Sequence, residues 1–293
     1  MTEDLYPTRA SGRPSLIDRA DPVVYGTAAD GPLTADDLAR FDTAGFHAFD
    51  QLIEPGEVAA FHTELQRLRE DPALKDDERT VFEPTSRHLR SVFEVHKVSE
   101  VFARLLHDPR VVGPARQILG SEVYIHQSRV NFKPGLAGNT FYWHSDFETW
   151  HAEDGMPRMR AVSLSIAITE NLDSNGPLMI MPGSHRTFVT CPGETPENHY
   201  LSSLRSQEVG TPDPDSLRKL GDEHGIRQFT GAPGSATMFD CNSMHGSNSN
   251  ITPFPRSNVF VVFNSVENTL VEPFGAASLR PPFIAAREFT PVR

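Results

Sequence analysis

Arg160-Ala161-Val162-Ser163-Leu164-Ser165-Ile166-Ala167-Ile168-Thr169 alternates without a break: Val162, Leu164, Ile166 and Ile168 fall on one side of an extended chain, and Ala161, Ser163, Ser165 and Ala167 on the other. Period two marks a β-strand, because successive side chains leave a pleated chain on opposite faces. The apolar face must be covered. The small, polar face has two readings, a solvated outer surface or the lining of a barrel that leaves room for a ligand, and alternation alone leaves both open.

Similar signals surround this strand. In 122–133 the alternate positions Gln127, Arg129, Asn131 and Lys133 are all polar, and further strands are expected at 178–181, 235–240 and 258–264. Hydrophobic residues, 38% of the 293, come in short runs broken by many of the 24 prolines and 20 glycines, which favours short strands and turns over long helices. The N-terminal side reads differently. Thr34 can cap a helix that carries Leu38 and Phe41 and ends at Gly45, and Pro55 suits the first turn of a second helix with Val58, Phe61, Leu65 and Leu68 on one stripe. Two more helices are expected around 101–106 and 111–118, ending at Gly120. Residues 1–293 thus read as one catalytic domain. Its parts are an N-terminal arm (1–30) lying over the core, with disorder as the alternative, a mainly helical flank (31–120), a strand-rich core (121–275) and a C-terminal tail (276–293). Within the core, 190–228 is a polar insertion, a lid or a surface decoration, with a short helix capped by Asp213 and Pro214.

The formal net charge of −12 opposes partners that are themselves polyanions, so neither nucleic acid nor an anionic membrane surface is expected. No run approaches the roughly 18 apolar residues of a membrane span, and the start Met1-Thr2-Glu3-Asp4 lacks a basic region followed by an apolar one; a cytoplasmic location is expected. Cys191 and Cys241 read as reduced and structural.

The chemical clue is His144-Ser145-Asp146. On an extended strand, residues two apart point the same way at a spacing of roughly 6.6 Å, so an imidazole and a carboxylate can converge on one cation. Alone this pair is more often a surface hydrogen bond, and a third ligand is needed. Of the twelve histidines, His245 is the most suggestive, because it follows the 235–240 strand and opens a turn-rich stretch. Two histidines and a carboxylate occupy one face of an octahedral iron(II) and leave adjacent positions for a bidentate oxo acid and dioxygen. The same set also suits catalytic zinc. Eleven residues after His245, Arg256 is either a surface arginine in a proline turn or the planar, permanently charged group that holds the far carboxylate of 2-oxoglutarate. Lys133 is a second cation that can reach the same acid if its strand face looks into a cavity. His151 and His185 carry no expected role, the latter being explained by a local hydrogen bond in its turn.

Phe141-Tyr142-Trp143-His144-Ser145-Asp146-Phe147-Glu148-Thr149-Trp150-His151, continued by Glu153-Asp154-Gly155-Met156-Pro157, resembles the signature of the ectoine hydroxylases in the phytanoyl-CoA dioxygenase-like superfamily. The similarity extends through Asn175-Gly176-Pro177, Pro182-Gly183-Ser184-His185 and Met244-His245-Gly246-Ser247-Asn248 to Asn268. The resemblance implies a double-stranded β-helix, a jelly-roll core of mainly β structure with helices packed outside. It implies Fe(II) on His144, Asp146 and His245 as the catalytic centre, and 2-oxoglutarate on Arg256 and Lys133 with Asn131 and Ser165, dioxygen being the other cosubstrate. Gln127 and Trp150 match residues that hold ectoine, and Asn258 and Phe260 line the same pocket. Ectoine pairs an amidinium ring with a carboxylate, so an indole can stack on the cation while an amide bonds the polar edge; an ordinary core tryptophan is the alternative. The implied activity is hydroxylation of ectoine to 5-hydroxyectoine with release of succinate and CO2, in compatible-solute synthesis under stress, by a homodimer. The rival readings are an oxygenase for another small amino acid or acyl compound, and a non-catalytic jelly-roll protein that uses its metal for stability.

Overall fold

A computed structural model of the chain describes residues 3–10, 12–83, 86–204 and 209–293; residues 205–208 of the 190–228 insertion lie outside the described residues. The helices are α1 (Ala35–Ala44), α2 (Pro55–Glu70), α3 (Val95–Val98), α4 (Glu100–Leu106), α5 (Pro109–Leu119), α6 (Asp146–Thr149), α7 (Tyr200–Ser203) and α8 (Pro214–His224). The strands begin with β1 (Leu16–Asp18), β2 (Phe46–Phe49), β3 (Thr80–Phe82), β4 (Leu89–Phe93), β5 (Val123–Lys133), β6 (Phe141–His144) and β7 (Ala161–Ala167). They continue with β8 (Leu178–Ile180), β9 (Thr187–Val189), β10 (Arg227–Phe229), β11 (Ala236–Asp240), β12 (His245–Ser247) and β13 (Arg256–Ser265). Antiparallel pairing builds a seven-stranded sheet, β2-β11-β7-β13-β5-β4-β3, and a four-stranded sheet, β10-β8-β12-β6. Their inner faces pack through Phe46 and Phe239 of the first against Leu178, Ile180 and Phe229 of the second. The result is a mainly β, double-stranded β-helix core with helices outside.

The β7 alternation resolves in favour of the barrel. Val162, Leu164, Ile166 and Ile168 are fully buried under the helical layer, against residues such as Phe61, Leu65, Phe102, Leu106 and Ile118. Each such burial contributes about 2 kcal/mol. The small face therefore looks inward, where bulky side chains would fill the space a ligand needs. Helix starts and stops follow their local chemistry: Thr34 caps α1 in a capping box with Asp37, Gly45 ends it in the left-handed region, and Asp213 caps α8 through the amides of Asp215 and Ser216. The 31–120 flank needs one correction. Besides α1–α5 it lends β2 to one edge of the large sheet and β3–β4 to the other. Those strands are three to five residues long, too short for alternation to stand out.

The β5–β13 ladder fixes what faces the cavity. Arg256 pairs with Lys133, Asn258 with Asn131 and Phe260 with Arg129, and the register slips once, where Val262 pairs with Gln127 but Phe263 with Ile125. His126 is the extra residue. Val123, Ile125, Val130 and Phe132 all pack in the helix-side core, so the bulge turns both His126 and Gln127 inward. The N-terminal arm is pinned by β1–β9 pairing, and the tail packs Phe283 and Ile284 against Val81 and Phe93. Among the described residues no helix is long and apolar enough to cross a membrane. Cys191 and Cys241 are buried free thiols.

Candidate metal centre

His144 closes β6, His245 opens β12, and the two are direct partners in the antiparallel ladder. Their ring centroids lie 4.3 Å apart. Asp146 joins them by a different route from the one expected. The strand stops at His144, Ser145 stays extended, and Asp146 is the first residue of α6, so a strand-to-helix turn rather than strand periodicity brings the carboxylate round. Oδ1 of Asp146 lies 3.6 Å from Nε2 of His144 and Oδ2 lies 3.9 Å from Nε2 of His245. One ligand atom from each residue fits within a 4.8 Å span.

The surroundings prepare these atoms for a cation. Nδ1 of His144 is 2.7 Å from the Tyr142 carbonyl and Nδ1 of His245 is 3.0 Å from the Ser243 carbonyl. A carbonyl can only accept, so each Nδ1 carries the proton and each Nε2 presents a lone pair, the arrangement that metal-binding histidines adopt. Ser163, from the small face of β7, donates to Oδ2 of Asp146 at 3.0 Å. Burial works against ionisation of Asp146, but His245, His144 and Arg129 outweigh it and hold the carboxyl well below its usual range. Burial, with His144 beside it, pushes the His245 imidazole down to about 4, so it is a neutral donor at ordinary pH. Two imidazole nitrogens and one carboxylate on one side of a shared point fit iron(II).

Two basic side chains are buried together on the β5–β13 ladder, and one of them, Lys133, reaches Ser247, two residues after His245. Lys133 and Arg256 are partners in the β5–β13 register and are 2% and 3% exposed. Lys133 Nζ donates to Ser247 Oγ at 2.8 Å and also to the Asn248 carbonyl. Burial, then the neighbouring Arg256 and Arg90, pushes its pKa down to about 6. Nε and Nη1 of Arg256 have no hydrogen-bond partner among the described residues, and burial lowers this guanidinium to about 10. A buried, forked donor without an acceptor is costly unless a ligand completes it, and a carboxylate matches the fork. Asn131 accepts a hydrogen bond from Ser91, while Asn258 donates to Ser165 and its own Oδ1 has no partner among the described residues.

A cavity of about 390 Å³ adjoins the triad and is lined by Gln127, Asn131, His144, Asp146 and Trp150. Trp150 is 3% exposed and sits in a π-helical turn, Trp150–Asp154, with its ring 5.2 Å from that of His126. Gln127 donates to the Ile284 carbonyl, so the C-terminal tail helps hold the cavity's polar edge. Ser165 instead lines a separate recess with Asn171 and Thr237, and Asn258, bonded to it, is not among the residues lining the cavity. Phe260 supports the site from beneath, with the Arg129 guanidinium 5.1 Å from its ring centre. Arg129 itself lines the cavity and bonds Gln127. It stands in the same alternating row of β5 as Gln127, Asn131 and Lys133, the signal that could have assigned it. Ser163, His199 and Arg280 also escape a sequence reading, because their partners come from distant segments. His151 and His185 stay outside: His151 stacks between Phe147 and Phe274, and His185 bonds the Asp42 carbonyl.

Comparison with known proteins agrees with this geometry. The chain is 62% identical over 291 residues to the ectoine dioxygenase of Streptomyces avermitilis, covering 99% of this chain and 98% of that one. It is 53% identical to the ectoine dioxygenase of Stutzerimonas stutzeri, covering 98% and 96%. The crystal structure of EctD from S. alaskensis with 2-oxoglutarate and 5-hydroxyectoine superposes with a TM-score of 0.90 at 48% identity, over 99% of this chain and 97% of that one. The same protein with bound Fe superposes at 0.89 and 47% identity, over 99% and 98%. Residues 41–258 match the sequence profile of phytanoyl-CoA dioxygenase, and the chain belongs to that family.

Proposed function

We propose that this chain is an iron(II)- and 2-oxoglutarate-dependent dioxygenase that hydroxylates ectoine to 5-hydroxyectoine. One oxygen atom of O2 enters the product and the other enters succinate, with loss of CO2. The observation that carries this reading is the convergence of His144, Asp146 and His245 in a barrel that also buries the Arg256 guanidinium, whose Nε and Nη1 have no acceptor among the described residues. The high identity to ectoine dioxygenases along nearly the whole chain supports the substrate.

In this reading His144, Asp146 and His245 hold the iron, which when bound supplies dioxygen activation coupled to oxidative decarboxylation of the oxo acid. The protein's own work is placement. Arg256 takes the far carboxylate of 2-oxoglutarate in a fork, and Lys133 adds a second positive charge next to it. Asn131, whose amide oxygen accepts from Ser91, offers its amide at the cavity wall, while Ser165 and Asn258 are bonded to each other. Trp150 offers an indole face to the amidinium ring, Gln127 meets the polar edge, and Arg129, bonded to Gln127 and seated on Phe260, complements the substrate carboxylate. Low exposure of these groups excludes water, which strengthens each charge interaction. A cytoplasmic homodimer completes the proposal, and the net charge of −12 supports a small-molecule rather than a nucleic-acid or membrane partner.

The test is mass spectrometry of ectoine, and in parallel of proline, incubated with purified protein, iron(II), 2-oxoglutarate and air. The expected result is an ectoine product with one added oxygen, formed only when all components are present, with matching succinate. Product from proline alone would reverse the substrate assignment. Metal analysis after anaerobic purification distinguishes iron from zinc.

A further inference from the structure

Asp146 and Trp150 ride on one short segment, α6 followed by the π-helical turn, closed by Gly155 at φ 77°. A Cβ at Gly155 would lie 2.0 Å from the Val271 carbonyl oxygen, so the segment is clamped against the chain that follows β13. An isolated π turn has poor intrinsic stability and needs outside support. This one also carries three buried carboxylates, Glu148, Glu153 and Asp154, each at most 1% exposed. Buried carboxylates persist only when paired.

The partners come from segments far away in the chain. Arg9, in the N-terminal arm, forks onto Glu148 (Nε–Oε1 2.7 Å, Nη2–Oε2 2.9 Å) and reaches Oε1 of Glu153 at 3.1 Å. Its Nη1 donates to Thr195 of the insertion at 3.2 Å. Nδ1 of His199, also in the insertion, shares the same Glu153 oxygen at 2.9 Å. Arg280, from the tail, forks onto Asp154 at 2.7 and 2.6 Å. His199 and Arg280 both line the cavity. The arm is built to deliver Arg9: Tyr6 is fully buried with its ring 5.3 Å from Phe147, the Arg9 amide donates to the Cys191 carbonyl, and Arg9 itself takes the left-handed conformation at φ 56° that non-glycine residues rarely adopt.

We propose that Arg9 is a positioning residue for the reaction: docking of the N-terminal arm sets the 146–155 segment and with it the Trp150 wall of the cavity, so that arm docking and substrate binding are coupled. The inference rests on the reading of Trp150 as a substrate contact. Asp146 has its own anchor in Ser163, so loss of Arg9 spares the metal and the oxo acid and falls on the substrate. By linkage, substrate in the cavity must tighten the arm by the same factor.

Arg9→Met and Arg9→Lys in the full-length, iron-loaded enzyme test this. The expected outcome for Arg9→Met is a rise in KM for ectoine of about tenfold or more with KM for 2-oxoglutarate within about twofold, because small displacements of a positioning wall are expensive. Arg9→Lys, which keeps the charge but loses the fork, falls between. A purely structural role would lower kcat in proportion to the folded fraction and leave both KM values alone; that result, or an equal rise in both, overturns the proposal. Should Arg9→Met fail to fold, Arg9→Lys decides, and an unchanged ectoine KM in it refutes the coupling. If the native enzyme leaves ectoine untouched, the failure lies with the substrate reading, and the arm is then tested in a Trp143→Phe background, where Trp150 is the remaining tryptophan. There Arg9→Lys is expected to raise acrylamide quenching of Trp150 by about twofold, since local opening exposes it; an unchanged rate overturns the proposal.

Discussion

Replacing Arg256 by Met separates stability from function in a way the structure quantifies. Arg256 is 3% exposed, its Nε and Nη1 lack acceptors among the described residues, and burial pushes its guanidinium from its ordinary value down to about 10. At 1.36 kcal/mol per unit, that drop corresponds to roughly 3 kcal/mol of unfavourable burial without ligand. Methionine has a similar stem and no charge, so the variant without oxo acid is expected to be at least as stable as the native protein, as when buried ionic groups give way to apolar ones. Function moves the other way. Two charge-assisted hydrogen bonds at about 1.5–3 kcal/mol each place the loss of 2-oxoglutarate binding at roughly 3–6 kcal/mol, a factor of about 10² to 10⁴. Calorimetric titration with 2-oxoglutarate under anaerobic conditions reads the affinity, and thermal melts with and without the acid read the stability. Native-like affinity in the variant would remove Arg256 from the oxo-acid site. A destabilisation of the ligand-free variant by more than about 3 kcal/mol would show that the guanidinium has a protein partner, and the reasoning from its unpaired donors would fail.

Three further predictions concern the same centre. Ser163→Ala removes the hydrogen bond to Asp146 and should weaken iron binding roughly tenfold to a hundredfold in chelator competition, the usual cost of losing support to a ligand; a change under about twofold would exclude that support. Lys133 has a folded pKa of about 6 against 10.5, so between those values the unfolded chain binds the extra proton and stability rises with pH. Lys133→Met should flatten that rise in urea titrations across the window, and the native protein should take up about one proton on binding 2-oxoglutarate at a pH within it, as read by calorimetry in buffers of different ionisation enthalpy. Trp150→Ala should raise KM for ectoine on the order of a hundredfold through loss of stacking and apolar contact, with 2-oxoglutarate binding retained; equal losses for both ligands would contradict the division of the cavity.

Local chemistry alone determined a good part of this protein. Capping at Thr34 and Asp213, the left-handed stop at Gly45, the α2 stripe and the alternation in β5 and β7 are short-range effects, so they are legible residue by residue. Likewise, residue types and spacing nominated His144, Asp146, His245 and Arg256. What only the tertiary structure decided is which side of each element faces what. Alternation in β7 defines two faces but not the inner one; that follows from helices packing on Val162, Leu164 and Ile166. The bulge at His126 reverses the parity of β5, and no composition signal announces it. The turn after His144 replaces strand geometry in bringing Asp146 to the metal site. The clamp of Arg9, His199 and Arg280 on 146–155 joins segments more than a hundred residues apart in sequence at the extremes. Such pairings are selected by burial, because a charge removed from water must find its counter-charge wherever the fold brings one within reach.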